Sequence, residues 1–306
     1  MTKILIASEK PFSKQAVAEV SQVCKEAGYE LDLLEKYTSK DELIAAMPGV
    51  HGMIVRSDIV DSDVINAAPS LKIVVRAGAG YDNVDLAAAT EKGVTVMNTP
   101  GQNSNAVAEL VFGMLIYLNR NGFNGTAGTE LRGKKLGIHA YGYVGRIVAL
   151  IAKGMGMKVF AYDPYVDRVV IENDGVTCLK TVEELYSKCQ YISLHIPANQ
   201  ETRGSINEAL LSAMPEGATL VNTARKEVID EAGLLKAMAE REDLRYLSDI
   251  APDCKEEIAS KYAGRFFFTP KKMGAQTAEA NLNAGVAAAK QIVAFIENGE
   301  TTFKVN

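Results

Sequence analysis

The stretch 136-LGIHAYGYVGRIVALIAKGMGMKVFAYDP-164 decides the fold. It joins an apolar run, a glycine turn, an apolar segment of helical period and a second apolar run, in about the length of one βαβ unit. In the pattern G-x-G-x-x-G, the second glycine lets backbone approach a pyrophosphate and the third lets the helix pack on the sheet. These are Gly142 and Gly145, with Tyr143 and Val144 between them. The first position is Ala140. Alanine suits that turn only if its torsion stays near the ordinary negative-φ region. Asp163 ends the second run, 18 residues after Gly145, and Pro164 follows it. A carboxylate there accepts hydrogen bonds from ribose hydroxyls and repels a 2′-phosphate, which points to NAD rather than NADP. The competing reading is a glycine turn of any α/β protein with an unrelated aspartate; the strand context and the spaced acid favour the dinucleotide.

Outward from this unit, strand-like and helix-like segments alternate in both directions. Before it stand "KILIAS", a helical 16-AVAEVSQVCKEAG-28, "ELDLLE", "GMIVRS", "LKIVVRAGAG" and "VTVMNTP"; after it come "YISLHIP", "TLVNTA" and "RYLSDI". Alternation of this kind predicts parallel sheets. An apolar helix is expected over Ala106–Leu118, capped by Ser104 or Asn105 and buried between domains or subunits. The alanine-rich helix from Thr277 to Asn298 is expected to return to the first domain, with a final strand at 301-TTFKVN-306. The expected architecture is α/β: two doubly wound, Rossmann-like domains with a cleft between them, one from residues 1–100 plus 281–306, the other from 101–280.

The 306 residues suit two domains, and 47% hydrophobic with 23% charged residues can build ordinary cores. A net charge of −5 without a basic block argues against nucleic acid. No apolar run approaches the ~20 residues of a membrane span, so no membrane partner is expected. Cys24, Cys178, Cys189 and Cys254 fit no metal-ligand spacing and read as reduced thiols; together with a first strand that begins at once, without a signal peptide, they predict a cytoplasmic protein and no metal.

At 54-IVRS-57, 73-IVVRAGAGYDNVDLAAATEKGVTVMNTP-100 and 222-NTARKEVIDEAGLLKAM-238, the chain resembles the D-isomer-specific 2-hydroxyacid dehydrogenases, most of all their phosphoglycerate-oxidising members. The resemblance implies a substrate domain formed by both chain ends, a central NAD domain and, through the latter, a homodimer. It implies oxidation of 3-phosphoglycerate to 3-phosphohydroxypyruvate and the reverse, the first step of serine synthesis. Arg225 matches the arginine that clamps the substrate carboxylate; a guanidinium stays charged and pairs bidentately with an α-keto acid. Gly78, Ala79 and Gly80 match the loop offering N–H groups to the same carboxylate. Arg56, Arg76 and Asn103 are implied as contacts of a substrate phosphate. The cofactor set is extended to His195, Ile196, Pro197, Thr202, Thr223, Ala224 and Asp249, the last near the nicotinamide.

The family pattern is departed from in three places. The segment before "GTELRGKK" is short, and the chain ends at Asn306 without the regulatory region through which some relatives respond to serine, so no such allosteric site is expected. The family's glutamate position falls near Cys254, and its histidine position falls on Lys272 or, anchored on Pro270, on Lys271. Reduction of a keto acid needs a proton for the developing alkoxide, and an ammonium can supply it. The free lysine pKa of about 10.4 is high for the reverse step. Burial and the charge of Arg225 are expected to lower it. His139 and His195 read as structural and His51 as a surface residue. Two other functions compete: a dehydrogenase of an unphosphorylated 2-hydroxy acid, and a non-catalytic NAD-sensing protein.

Overall fold

A computed structural model describes residues 1–306. The chain divides into two compact units, Met1–Asn103 with Gln276–Asn306, and Ser104–Ala275.

The first unit opens with β1 (Lys3–Ser8), α1 (Lys14–Glu26), β2 (Glu30–Glu35), α2 (Lys40–Ala46), β3 (Gly52–Val55), α3 (Ser62–Asn66), β4 (Ile73–Arg76), α4 (Leu86–Glu91) and β5 (Thr95–Asn98). Each of these helices starts on a polar residue whose side chain accepts a first-turn N–H: Ser13, Ser39, Asp61 and Asp85. The strands form one parallel sheet in the order β2-β1-β3-β4-β5, so the winding reverses between β1 and β3. Alternate residues fill its two faces: Leu5, Val55, Val74 and Val96 on one, Ile4, Ile6, Ile54 and Val75 on the other. Covering on both faces explains why the inner strands are apolar throughout rather than alternating.

The second unit begins with α5 (Ser104–Asn119) and continues through β6 (Lys135–His139), α6 (Tyr143–Gly154), β7 (Lys158–Tyr162), α7 (Arg168–Asn173), β8 (Thr177–Cys178), α8 (Val182–Lys188), β9 (Tyr191–Leu194), α9 (Glu208–Ala213), β10 (Thr219–Asn222), α10 (Glu231–Glu240), β11 (Arg245–Ser248), α11 (Lys255–Lys261) and β12 (Phe266–Phe268). Its seven parallel strands run β12-β11-β10-β9-β6-β7-β8, with the reversal between β6 and β9. Two parallel-sheet units covered by helices make this an α/β, Rossmann-like protein. No helix is long and apolar enough to cross a membrane.

Three expectations need correction. The apolar face of α5 is absorbed within its own unit, where Ala108, Val111, Phe112, Leu115 and Leu118 join Val148, Ala149 and Ala152 of α6 in one core. Nor does Ser104 or Asn105 cap it, because both lie inside the helix; Asn105 donates to Glu109 instead, and the Ser104 hydroxyl is buried without a partner. The last helix, α12 (Ala278–Asn298), is capped by Thr277 and ends on left-handed Gly299. After it the chain turns through Lys304 N to Thr301 O and meets β5 in a single antiparallel bridge, Met97 with Lys304. The turn leaves room for one register pair, so 301–306 is not a strand.

Candidate active site

Five strands of the second unit, β7, β9, β10, β11 and β12, are followed at their carboxyl ends by polar residues, Asp163, His195, Thr223, Asp249 and Thr269. At the β6–β9 reversal, the glycine turn follows β6 and His195–Pro197 follows β9. The α6 N-terminus has Gly142 as its cap residue and no side-chain hydrogen bond to it, whereas α1, α9 and α12 are capped by Ser13, Asn207 and Thr277. Its first N–H groups therefore look for an external acceptor. A Cβ added at Gly142 would meet nothing within 4 Å, while one at Gly145 would run into the Ala140 carbonyl oxygen. Gly145 is thus the close-packing glycine, and Gly142 borders open space of the kind a pyrophosphate takes. Tyr143 is exposed on the first turn of α6, and Val144 packs against the core beneath.

Ala140 does not keep the ordinary torsion: its φ is +80°. That region costs a Cβ-bearing residue about 1–2 kcal/mol. Two bonds hold it there, Ala140 N to Tyr162 O at 2.9 Å and Tyr141 N to Asp163 Oδ2 at 2.7 Å. The other Asp163 oxygen accepts from Tyr165 N at 2.8 Å and Val166 N at 3.2 Å. Asp163 therefore shapes the turns on both sides of it, a role its spacing alone did not reveal. Pro164 between them is exposed.

His195 extends the β6–β9 pairing through its N–H to His139 O at 2.9 Å, and its Nε2 lies 2.9 Å from Ser193 Oγ. Burial drives the imidazoles down, His195 to about 3 with help from His139, and His139 to about 4 against a small opposing pull from Asp163. Both rings are neutral at physiological pH. His51 is half-buried rather than a free surface residue, with Nδ1 accepting from Lys3 N at 3.2 Å. Ile196 is buried; Pro197 gives its carbonyl to Thr202 Oγ1 at 2.5 Å, closing the 197–202 turn. Across that turn, Tyr165 donates to Glu201 Oε2 at 3.1 Å, a pair that sequence reading missed because its members lie on different loops.

Thr223, Ala224 and Arg225 leave β10 together. The Thr223 hydroxyl is buried without a partner, an orphan that a ligand group can satisfy. Ala224 N donates to Asn222 Oδ1 at 3.0 Å, Arg225 O accepts from Asn222 Nδ2 at 2.9 Å, and the Arg225 guanidinium donates to Ala224 O at 3.0 Å. After β11 comes Asp249, 1% exposed. After β12 comes the loop with Lys271 and Lys272, both exposed. The burial that the sequence reading expected at the proton-transfer lysine is therefore absent. Cys254, near which the sequence reading put the family's glutamate position, is held by Glu231, which accepts from Asp253 N and Cys254 N at 2.8 Å each. Burial and this carboxylate push the thiol up to about 12, so it stays protonated and unreactive.

In the first unit the substrate candidates gather at the ends of β3, β4 and β5. Arg56 lies over the Phe12 ring, 5.3 Å from its centroid, and donates to Asn281 Oδ1 at 2.5 Å and Lys10 O at 3.3 Å. Arg76 Nε donates to Arg56 O at 2.9 Å. Its guanidinium folds over Gly78, where a Cβ would collide with Nη1 and φ is +151°, so only glycine fits. Ala79 O accepts from Asn98 Nδ2 at 2.6 Å, and Gly78 O from Thr99 N at 2.9 Å, which fixes the turn up to Gly80. Asn103 ends the unit, in the turn after β5.

The glycine turn, the uncapped α6 and the orphan Thr223 hydroxyl fit a dinucleotide. Comparison with known proteins agrees. The model of the D-isomer specific 2-hydroxyacid dehydrogenase catalytic domain matches residues 4–306. A D-3-phosphoglycerate dehydrogenase of Rattus norvegicus is 38% identical over 291 residues, 90% of this chain but 54% of that protein, so the chain spans about half the length of such relatives. A hydroxypyruvate reductase of Thermotoga maritima is 34% identical over 283 residues, 86% of this chain and 90% of its own. The structure of NAD+-bound 3-phosphoglycerate dehydrogenase in Entamoeba histolytica shares 48% identity at a TM-score of 0.89, covering 100% of this chain and 98% of that one. The chain belongs to the D-isomer-specific 2-hydroxyacid dehydrogenases, a family of NAD-dependent oxidoreductases.

Proposed function

We propose that this chain is an NAD-dependent dehydrogenase interconverting 3-phosphoglycerate and 3-phosphohydroxypyruvate, at the head of serine synthesis. The observation that carries the reading is the placement of Arg225, Asp249 and the lysine loop at the carboxyl ends of three adjacent strands, β10, β11 and β12, in the sheet whose reversal bears the glycine turn. NAD, when bound, supplies or accepts the hydride. Gly142 and the first turn of α6 would hold its pyrophosphate, and Asp163 its ribose. Arg225 clamps the substrate carboxylate and polarises the carbonyl. Lys272 gives its proton to the developing alkoxide in reduction and takes it back in oxidation.

The phosphate is assigned to Arg56 and Arg76, with Asn103 beside them. A second reading, an unphosphorylated 2-hydroxy acid, is favoured by one observation: Arg56 already donates to Asn281 and Lys10 and stacks on Phe12. The Thermotoga maritima relative bears a name consistent with it. NADH consumption with 3-phosphohydroxypyruvate, beside hydroxypyruvate, pyruvate and glyoxylate, separates the readings. Turnover of the phosphorylated acid alone supports the first, and of hydroxypyruvate alone the second. NADH binding without turnover of any of them leaves a cofactor-sensing protein. A homodimer in the cytoplasm belongs to the same reading, and sedimentation of the purified chain checks the dimer.

A further inference from the structure

Asp249 is a buried carboxylate whose acceptor sites are taken up by its own chain. Oδ1 accepts from Met273 N at 2.7 Å and from the Thr269 hydroxyl at 3.1 Å, and Oδ2 accepts from Gly274 N at 2.8 Å. The Thr269 hydroxyl also reaches Asp249 O at 2.7 Å. Asp249 is itself fixed, since its N–H continues the β10–β11 ladder to Asn222 O at 3.0 Å. The donors flank one short segment: Thr269 stands before Pro270, Lys271 and Lys272, and Met273 and Gly274 stand after them. One carboxylate thereby ties both ends of the lysine loop to the end of β11. Gly274 is fitted to this contact: an added Cβ would lie 2.9 Å from Asp249 Oδ2 and 3.2 Å from Val107 Cγ2.

We infer that Asp249 is a positioning residue for the proton-transfer lysine, holding the 270–272 loop as a closed staple so that the ammonium works from a fixed backbone. An exposed lysine has a long, mobile side chain. A mobile root would add to the disorder, and misplacement of a reacting group by about 1 Å can cost about 100-fold in rate. A buried carboxylate is costly unless it is fully hydrogen-bonded, so loop and carboxylate stabilise one another. This inference rests on the reading of Lys272 as proton donor.

Two variants of the full chain test it. In Asp249→Asn the amide cannot accept from Met273 N and Gly274 N together, because one of its two groups is a donor. Gly274→Ala leaves the carboxylate intact and pushes the loop away from it. In both, amide exchange of Met273 and Gly274 is expected to accelerate at least about 10-fold while β11 stays protected. In both, kcat is expected to fall about 30- to 100-fold, with KM for NADH changed less than about 3-fold. Unchanged exchange at Met273 and Gly274 in Gly274→Ala overturns the staple, even if Asp249→Asn fails to fold. Faster exchange with unchanged kcat overturns the positioning role. A loss of NADH affinity matching the fall in kcat in Asp249→Asn, but absent in Gly274→Ala, makes Asp249 a cofactor ligand instead. Failure of the lysine reading shows separately, as full turnover in Lys272→Ala with the exchange pattern intact.

Discussion

The carboxyl edges of the two sheets both use buried carboxylates to set their loops, but only the first adds a pair of arginines that donate across its strand ends. In the second unit, carboxylates set the loops: Asp163 gathers the N–H groups of Tyr141, Tyr165 and Val166, and Asp249 those of Met273 and Gly274. In the first, one buried carboxylate, Asp58, gathers the N–H groups of Glu9 and Arg56 and the Tyr37 hydroxyl, and guanidinium groups are added to it, with Arg56 donating to Lys10 O and Asn281, and Arg76 to Arg56 O. A carboxylate can only accept and a guanidinium can only donate, so each brings a different set of backbone groups inward. The difference teaches how one residue can both shape a site and meet a ligand. The arginine edge carries the positive charge that the proposed anionic substrate would need. The aspartate edge uses most of its acceptors on its own turns, and leaves N–H groups at α6 and the Thr223 hydroxyl for a cofactor.

The largest effect is expected at the proposed proton-transfer lysine of the aspartate edge. Lys272→Ala should lower kcat about 1,000-fold, near 4 kcal/mol, while Lys271→Ala stays within about 5-fold, measured by steady-state turnover at several pH values. The reverse result would move the role to Lys271.

Acid should break the second unit's edge through two desolvated histidines, the buried His139 and the half-buried His195. His139 and His195 have folded pKa values of about 4 and about 3, below the ordinary 6.5. The unfolded chain takes up protons below pH ~6.5 that the folded chain refuses, so stability is lost as pH falls from there. For His139 the loss reaches roughly 3 kcal/mol by pH ~4. Urea unfolding at pH 7 and pH 5, for the wild type and His139→Gln, checks it; the variant should lose less between the two.

The arginine edge is sharpened by Arg56→Ala. If Arg56 meets a substrate phosphate, KM for 3-phosphohydroxypyruvate should rise about 10- to 100-fold, with little change for glyoxylate. A rise shared equally by both substrates would show that the arginine only holds Asn281 and the β1–α1 loop.

The smallest change concerns the strained turn. Ala140→Gly should raise stability by up to about 1 kcal/mol, because relief of the left-handed alanine outweighs the added freedom of the unfolded chain. Thermal melting measures it, and a lower melting temperature would place the preference for alanine elsewhere.

Legibility followed distance along the chain. The strand–turn–helix at 136–164 was readable because apolar runs and two glycines within one βαβ unit admit few other folds. Arg225 could be named from "NTAR" and the lysines from their place before "MGAQT". Asn281 could not be seen as the partner of Arg56, since 225 residues separate them. The three phenylalanines of β12 and the two residues of β8 carry no period, so only strand pairing reveals them. The last six residues have a β-like composition, but the turn after Gly299 admits only one bridge.

Sequence alone therefore determined the local chemistry of this protein: two α/β units, a glycine turn with an acid at the next strand end, an arginine after β10 and a pair of lysines after β12. Tertiary structure decided what those groups do before any ligand arrives. It set the left-handed torsion of Ala140, the engagement of Arg56 and the fastening of the lysine loop by Asp249. The physical reason is that a side chain's type is local, whereas its hydrogen-bond partners are whatever the fold brings within about 3 Å.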